Sequence, residues 1–482
     1  MSPTLERKKP NVCERIKNEI DYFRRYRVLR DTYPKNINFP SYFDFDKKTL
    51  PYRNDEGSLV YEKALSLKRS YGEKIWNRST ARLTNEERQD FQIVMIPSRH
   101  EHDGDLDFSK SFQQNLEENA LGGHPVATFK RGMAYHNDPH EGERLIENMV
   151  NAKSVYIVAS PLDEQDFDEI RFTANQYLNN GALEVNLIAP FMANERDDKN
   201  IEKLKDGDGE PTYNGRILKI QSEMRSLGSV INRIVTFEPH SSATHAFAAL
   251  SEIALAPLSM EEELVGQIKN QIIKDGSDQW VVVRPDEGRN IVATRIEERF
   301  RLEGVHINQL RDSTDLEKNA EELTEKETEK IKGKNTILYD DEGGSLKTVK
   351  NVVIEHLINS DAKSINIFLA HVRLQEGDKE KSNHWEDNLT DMISSAQSHD
   401  PPIKINVYAT DSRVPVGKLK EFMANNPGVI EVISVVDKTR KAIEAMVKGV
   451  NFWKDKNGTD WEAAVLQTIK KRGDKKEVED YD

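Results

Sequence analysis

Short apolar runs recur along this chain, each closed by an acidic residue, a histidine, a proline or a small residue, and between them lie longer segments with apolar residues at helical spacing. The runs are Phe91–Pro97, Ser154–Ser160, Glu184–Pro190, Arg233–Phe237, Gln279–Arg284, Thr336–Tyr339, Ser364–Ala370, Ile403–Ala409 and Val429–Val436. A continuous apolar run offers no polar face to solvent, so it reads as a strand covered on both sides. Such strands alternating with helices imply βαβ units and mainly parallel sheets. The alternation occurs twice, which makes two α/β halves of similar size. Open parallel sheets place their ligands at the C-terminal ends of strands, and those ends carry the acidic, histidine and glycine residues here.

Composition narrows the function classes. The chain has 482 residues, a formal net charge of −14, 37% hydrophobic and 32% charged residues. It reads as soluble, with a heavily charged surface. The acidic balance argues against a nucleic-acid scaffold, which shows a basic stripe, but leaves room for a local nucleotide site. Cys13 is the single cysteine, so no internal disulfide forms and a reducing compartment fits. No apolar run approaches membrane-spanning length, and the start of the chain lacks the apolar core of a secretory signal. The expected location is the cytosol.

Residues 1–88 are patterned for helix (Val12–Leu29 and Leu59–Trp76) and show no chemistry; they read as a helical extension. The first half then spans 89–256 and the second 257–449, with a charged, helical tail at 450–482. In the first half, 106–121 reads as a helix and Pro125–Phe129 as a strand. The hydrophilic stretch 194–214 follows a strand end and is a candidate mobile active-site loop. The charge-rich stretch 312–335 reads as a solvated helix.

The richest segment runs from Thr336 to Val349. An apolar strand leads into Asp340 and Asp341, then into Gly343-Gly344-Ser345, then into an amphipathic run through Val349, Val353 and Leu357. That is strand, acidic tip, glycine turn, helix. Free backbone N–H groups at such a turn hold a phosphate. Two carboxylates at a strand's C-terminal end hold ribose hydroxyls or a phosphate-bound Mg²⁺. A turn with a merely solvated acidic tip is the other reading.

The order of the strand tips resembles the ribose-phosphate pyrophosphokinases (PRPP synthetases), over roughly Phe91 to Gly449. Phe129-Lys-Arg-Gly132 resembles the family's Phe-Ser-Asp-Gly element. Asn151 to Ser160 resembles its Arg-Gly-Lys-Asp-Val strand. Ile188 to Asp198 is similar to the segment ending Ala-Arg-Gln-Asp. Thr236-Phe-Glu238-Pro-His240 resembles Thr-(Val/Met)-Asp-Leu-His. Val282 to Gly288 resembles Val-Ser-Pro-Asp-Xaa-Gly, and Glu431 to Val436 resembles a late strand. Asp340-Asp341 stands where the family places its ribose-binding aspartates.

The resemblance implies an α/β fold of two tandem type I phosphoribosyltransferase domains after a helical extension. It implies a diphosphotransferase that moves the β,γ-diphosphate of Mg-ATP to the anomeric hydroxyl of a ribose phosphate. ATP would be the co-substrate, Mg²⁺ the cofactor, and a homo-oligomer, at least a dimer, the assembly. Phe129, Arg131, Arg196 and His240 would contact ATP. Asp340, Asp341, Gly343, Gly344, Ser345, Lys347 and Thr348 would hold the acceptor. His240, Asp286, Asp340 and Asp341 would serve the metal. Arg196, Arg311 and Lys347 would neutralise the transferring phosphates. Transfer of this type is mainly positioning and charge neutralisation.

Two departures qualify that reading. The family's ribose-phosphate loop runs Asp-Asp-Xaa-Xaa-Asp-Thr-(Gly/Cys)-Gly-Thr, whereas Gly344 stands here for an Asp and Lys347 for a Gly. A loop so changed points to an acceptor whose phosphate is a diester, such as ADP-ribose. Relatives that pyrophosphorylate ADP-ribose belong to phage NAD⁺-rebuilding pathways, which would place the chain in a host cytosol. Ribose 5-phosphate remains the other acceptor. Secondly, Gln309 falls on a lysine whose electrostatic contribution is worth several kcal/mol in comparable cases. Lys199, Arg289 or Lys347 would have to compensate; otherwise the chain is a silent nucleotide-binding homologue. Met133 also replaces an adenine-contacting Glu. A phosphoribosyltransferase that consumes the diphosphate is the third reading, disfavoured by the tandem halves.

Overall fold

The computed structural model describes residues 76, 79, 83–97, 126–134, 142–147, 149–193, 217–239, 244, 247–248, 251–284, 290–307, 309–311, 318–320, 323–344, 346–372, 385–412 and 418–449. Within them the chain builds two open sheets. The first contains β1 (Phe91–Met95), β2 (Val126–Ala134), β3 (Gly142–Glu147), β4 (Ser154–Val158), β5 (Glu184–Ala189), β6 (Arg233–Phe237) and β7 (Ala254–Leu258), in the order β3-β2-β1-β4-β5-β6-β7. All its neighbours are parallel except β2 and β3.

The second sheet contains β8 (Trp280–Arg284), β9 (Glu303–His306), β12 (Asn335–Gly343), β13 (Ser364–Val372), β14 (Lys404–Thr410) and β15 (Ile430–Ile433). Its order is β15-β14-β13-β12-β8-β9, parallel throughout. A small antiparallel ribbon, β10 (Gln309–Arg311) and β11 (Lys318–Ala320), follows β9. The order reverses between β8 and β12, the place where such sheets bind ligands. The expected α/β class, with two mainly parallel sheets, is what the chain forms.

Three apolar layers hold these sheets. One outer layer packs the helices Glu164–Asn179 and Ile217–Gly228 on the first sheet. The other packs Trp385–Ser398 and the helical stretch from Lys347 onward on the second. The central layer belongs to both sheets. Ile93, Tyr156 and Phe237 of the first meet Val282, Tyr339 and Phe368 of the second in one cluster, together with residues of helices Asn290–Phe300 and Val436–Val447. The central strands that face this layer, such as β4, β6, β8 and β13, are covered on their other face too, which is why they read as unbroken apolar runs.

Buried charge marks two staples. β6 opens with Arg233, wholly buried, which donates to Glu184 Oε1 at 2.5 Å and Asn186 Oδ1 at 2.9 Å. Its guanidinium lies 5.7 Å from the ring of Trp76, so this residue of the extension packs into the main body. The rest of residues 1–75 lies outside the described residues. β8 closes with Arg284, whose Nη2 lies 2.5 Å from Glu297 Oε2 and whose Nε donates to Oε1 at 2.8 Å. That fork pins helix Asn290–Phe300 to the end of β8. Gly304 makes room for it, since a Cβ there would collide with Glu297 Oε1.

Several expectations change. Pro125–Phe129 becomes the longer β2, because hairpin pairing with β3 carries the strand through Lys130 and Arg131. β7 is a strand that Pro257 hides in the sequence pattern; it lies at the sheet edge, where proline is tolerated. It runs across the expected 256/257 division, so the first sheet closes at Leu258. The expected helix over 312–335 is instead β11 and a shorter helix, Glu325–Ile331, started by a Thr324–Glu327 capping box. Cross-strand pairing of β10 with β11 overrides the helical charge pattern. The expected helix over 106–121, the loop 194–214 and the tail from 450 lie outside the described residues. No helix among the described residues is long and apolar enough to cross a membrane.

The Arg284–Glu297 fork yields a prediction. Glu297→Ala strands a buried guanidinium, a change that costs about 3–5 kcal/mol. Urea unfolding at neutral pH is expected to show that loss, and a loss below about 1 kcal/mol would mean Arg284 finds another partner.

Candidate functional site

The apolar run that marks β12 in the sequence ends at Tyr339, with Asp340 and Asp341 as its acidic tip. The strand itself continues to Gly343, because β13 runs on to Val372 and supplies backbone partners: Asp340 opposite Leu369, Glu342 opposite His371 and Gly343 opposite Val372. Asp341 and Glu342 are therefore buried, at 3% and 5% exposure, and only Asp340 is half-buried. The solvated-tip reading fails for Asp341.

The turn that follows is tight. A Cβ on Gly343 would lie 2.8 Å from Leu369 Cδ1 and 3.3 Å from Leu346 Cδ2, so a larger residue there would have to push these leucine side chains aside. Leu346 takes a left-handed conformation (φ 59°) and is buried, which turns the chain into the helix Lys347–Asn351. A wider π-turn, Val352–Ile358, continues it. At the helix start the N–H groups of the first turn have no intrahelical acceptor. Lys347 is exposed there and Thr348 half-buried.

The opposite wall comes from the other strand ends. β13 ends near His371, fully enclosed, whose Nε2 lies 3.0 Å from the carbonyl oxygen of Phe237, the last residue of β6. A carbonyl only accepts, so Nε2 carries the proton. Nδ1 lies 2.8 Å from Ser412 Oγ, just past β14. Phe191, just past β5, meets the imidazole edge-on, with centroids 5.1 Å apart. Ser160, past β4, donates its hydroxyl to the Ser412 carbonyl at 2.8 Å. Thus the C-terminal ends of both sheets converge. Burial drives the His371 pKa down, opposed by Asp341, Glu342, the Phe237 carbonyl and Glu238.

Glu238 itself has a positive φ of 36°. Its carboxylate accepts from the Ser259 hydroxyl and from Met260 N at 2.7 Å, while its own N–H bonds the Leu258 carbonyl. These bonds fix the peptide from which the chain runs on to His240. Asp411 caps the chain entering helix Val436–Val447, accepting from Val435 N at 2.7 Å.

Among the expected site residues, the structure brings Asp340, Asp341, Gly343, Gly344, Lys347 and Thr348 together on the β12 turn. Phe129 and Arg131 sit on β2, opposite Ile146 and Arg144. Arg311 sits on β10, opposite Lys318, with Gln309 opposite Ala320. Arg196, His240, Asp286 and Ser345 lie outside the described residues, as do Lys199 and Arg289. Among the described residues no three histidine, cysteine or carboxylate side chains form a metal cluster. His371 and Ser412 were not foreseen as site residues. The one signal was a polar residue directly after the apolar run that ends at Ala370.

This architecture, two open and mainly parallel α/β sheets, is consistent with tandem phosphoribosyltransferase-type domains. Among solved structures, the crystal structure of phosphoribosylpyrophosphate synthetase from Mycobacterium smegmatis aligns at TM-score 0.51 and 16% identity, covering 74% of this chain and 98% of that one. The likeness shows a shared fold. A hypothetical protein from Neisseria gonorrhoeae with bound ppGpp aligns at TM-score 0.20 and 10% identity, covering 39% of this chain and 92% of that one, and adds nothing to it. No protein-family model matches the chain, and no curated protein does.

Burial pushes the Asp411 carboxyl up to about 6 from its ordinary 3.8. The folded chain then holds this proton more tightly than the unfolded chain. Its contribution to stability is present below the unfolded value and is lost as pH rises through the folded one. Asp411→Asn does not titrate. Relative to wild type, it is expected to gain roughly 2–3 kcal/mol between pH 4 and pH 7 in denaturant unfolding. A constant difference across that range would contradict the assignment.

Proposed function

We propose that this chain is a diphosphotransferase that uses Mg-ATP and a ribose phosphate bearing a free anomeric hydroxyl. The observation that carries the reading is the β12 turn. It sets buried and half-buried carboxylates, a closely packed glycine and a helix start in sequence at the point of strand reversal, beside His371, which reaches the ends of β5 and β6. The fold shared with a phosphoribosylpyrophosphate synthetase supports it.

In this reading Asp340 and Asp341 hold the ribose hydroxyls. The backbone from Gly343 to Thr348 receives the acceptor's phosphate with N–H donors, and Lys347 adds a positive charge beside it. The acceptor oxygen attacks the β-phosphorus; the bond from that phosphorus to the bridging oxygen of the α-phosphate breaks, AMP leaves with that oxygen, and the hydroxyl proton is released. Carboxylate oxygens suit Mg²⁺, which takes one or two protein carboxylates and keeps substrate phosphates and water as its other ligands. Asp340 and Asp341 are the described residues that would hold it, and the sequence resemblance adds His240 and Asp286. When bound, the ion neutralises charge on the phosphates being moved. The residues of the chain bind, orient and keep water from the reacting oxygen.

The acceptor proposed is ADP-ribose, giving ADP-ribose pyrophosphate. A phosphate that is a diester carries less charge than a terminal monoester, and a loop with Gly344 and Lys347 in changed positions suits it. A cytoplasmic homo-oligomer, with no nucleic-acid or membrane partner, accompanies the proposal. A silent nucleotide-binding homologue is the second reading, favoured by Gln309 on β10.

The test is AMP release from Mg-ATP with ADP-ribose and ribose 5-phosphate offered separately. AMP with ADP-ribose alone is expected. AMP with ribose 5-phosphate alone would keep the reaction and overturn the acceptor, and AMP with neither would favour the silent homologue. Asp341→Asn is expected to lower kcat/KM by on the order of 100-fold or more, with the fold intact by circular dichroism.

A further inference from the structure

We propose that His371 is a positioning residue that locks the ATP-side strand ends to the acceptor-side turn. The proposal rests on the diphosphotransferase reading for its kinetic consequence, and on geometry for the lock itself. His371 stands in register with Glu342 on the strand that carries Asp340 and Asp341. Its Nε2–H reaches across to the first domain and donates to Phe237 at 3.0 Å. That carbonyl belongs to the peptide that leads into Glu238, held at positive φ, and from there to Pro239 and His240. A residue in a sparsely populated conformation persists only where its surroundings over-determine it. Here the carbonyl side is held by His371, the N–H side by the Leu258 carbonyl and the side chain by Ser259 and Met260.

The other ring nitrogen fixes the imidazole. Neutral Nδ1 accepts the Ser412 hydroxyl at 2.8 Å. Thr410, whose hydroxyl donates to the Ala370 carbonyl at 2.5 Å, sits 2.8 Å from that same Ser412 oxygen. Ring tautomer, ring plane and reach are therefore all determined. Nothing in this arrangement asks His371 to touch a substrate. Its work is the distance between two strand ends on different domains, and in a reaction that depends on holding two substrates in line, a misplacement of about an ångström costs on the order of 100-fold.

The test separates the two ring nitrogens. Glutamine places an amide N–H near the position of Nε2 and so restores the bond to the other domain. Asparagine places its amide near Nδ1 and restores only the bond to Ser412. For His371→Gln, kcat is expected to stay within about fivefold of wild type. For His371→Asn it is expected to fall on the order of 100-fold, with KM for ATP and for the acceptor each changed less than about threefold. Hydrogen exchange of the full chain without substrates provides a readout that does not need activity. Peptides spanning Phe237 and Glu238 are expected to exchange faster in the asparagine variant and at the wild-type rate in the glutamine variant. Equal loss in both variants would mean a general packing role, and wild-type kcat and exchange in the asparagine variant would mean no lock; either overturns the proposal. Should wild type release no AMP with either acceptor, the functional reading fails, and the exchange comparison alone decides the lock.

Discussion

The structure depends on the apolar layer that its two sheets share. Each sheet has an outer layer of helices of its own, and among the described residues the inner faces pack on each other, on the helices between them and on Trp76. Burying such a surface is favourable in proportion to its area and indifferent to direction. Direction comes from the polar contacts at its margin. At the C-terminal margin these are the His371 bond to Phe237, the Ser160 bond to Ser412 and the Phe191–His371 contact. Elsewhere Lys438 reaches both Glu263 oxygens at 2.8 Å, joining helix Val436–Val447 to helix Glu261–Val265. The layer brings two mainly parallel sheets together, and the margin sets which strand ends meet.

In the proposed reading those meeting strand ends carry the chemistry. The β12 turn places carboxylates at graded depths: Asp340 half-buried, Asp341 and Glu342 buried beside an imidazole that is kept neutral. The helix start beyond Gly343 adds N–H donors and, at its first residue, the exposed Lys347. Such a mixture suits recognition of a sugar on one side and a phosphate on the other, which is the basis of the functional reading.

Much of the fold was legible because doubly covered strands leave an unmistakable trace. Val281-Val282-Val283 and Ile365 to Ala370 announce themselves as buried strands, and the alternation with helices settles the class. The misreadings have local causes. Pro257 hid an edge strand, because proline's missing donor matters less where one side of the strand is unpaired. Lys130 and Arg131 hid the second half of β2, because hairpin pairing does not require an apolar sequence. The charge-rich stretch around Lys318 suggested helix, yet β10 offered it a partner. At the candidate site, Asp340 and Asp341 stand out in the sequence by their position after an apolar run. Their burial was not, since it depends on the length of β13, a strand from a later part of the chain. His371 was invisible for the same reason: its partners, Phe237 and Ser412, are remote in sequence and meet it only through the shared layer.

The measurement that bears most directly on the central claim is a crystal structure of the protein with ADP-ribose and a non-hydrolysable Mg-ATP analogue. The account predicts the terminal ribose within hydrogen-bonding distance of Asp340 or Asp341, with the adjoining phosphate against the backbone from Gly343 to Thr348. A ribose bound away from the β12 turn, with that turn facing only solvent, would contradict it.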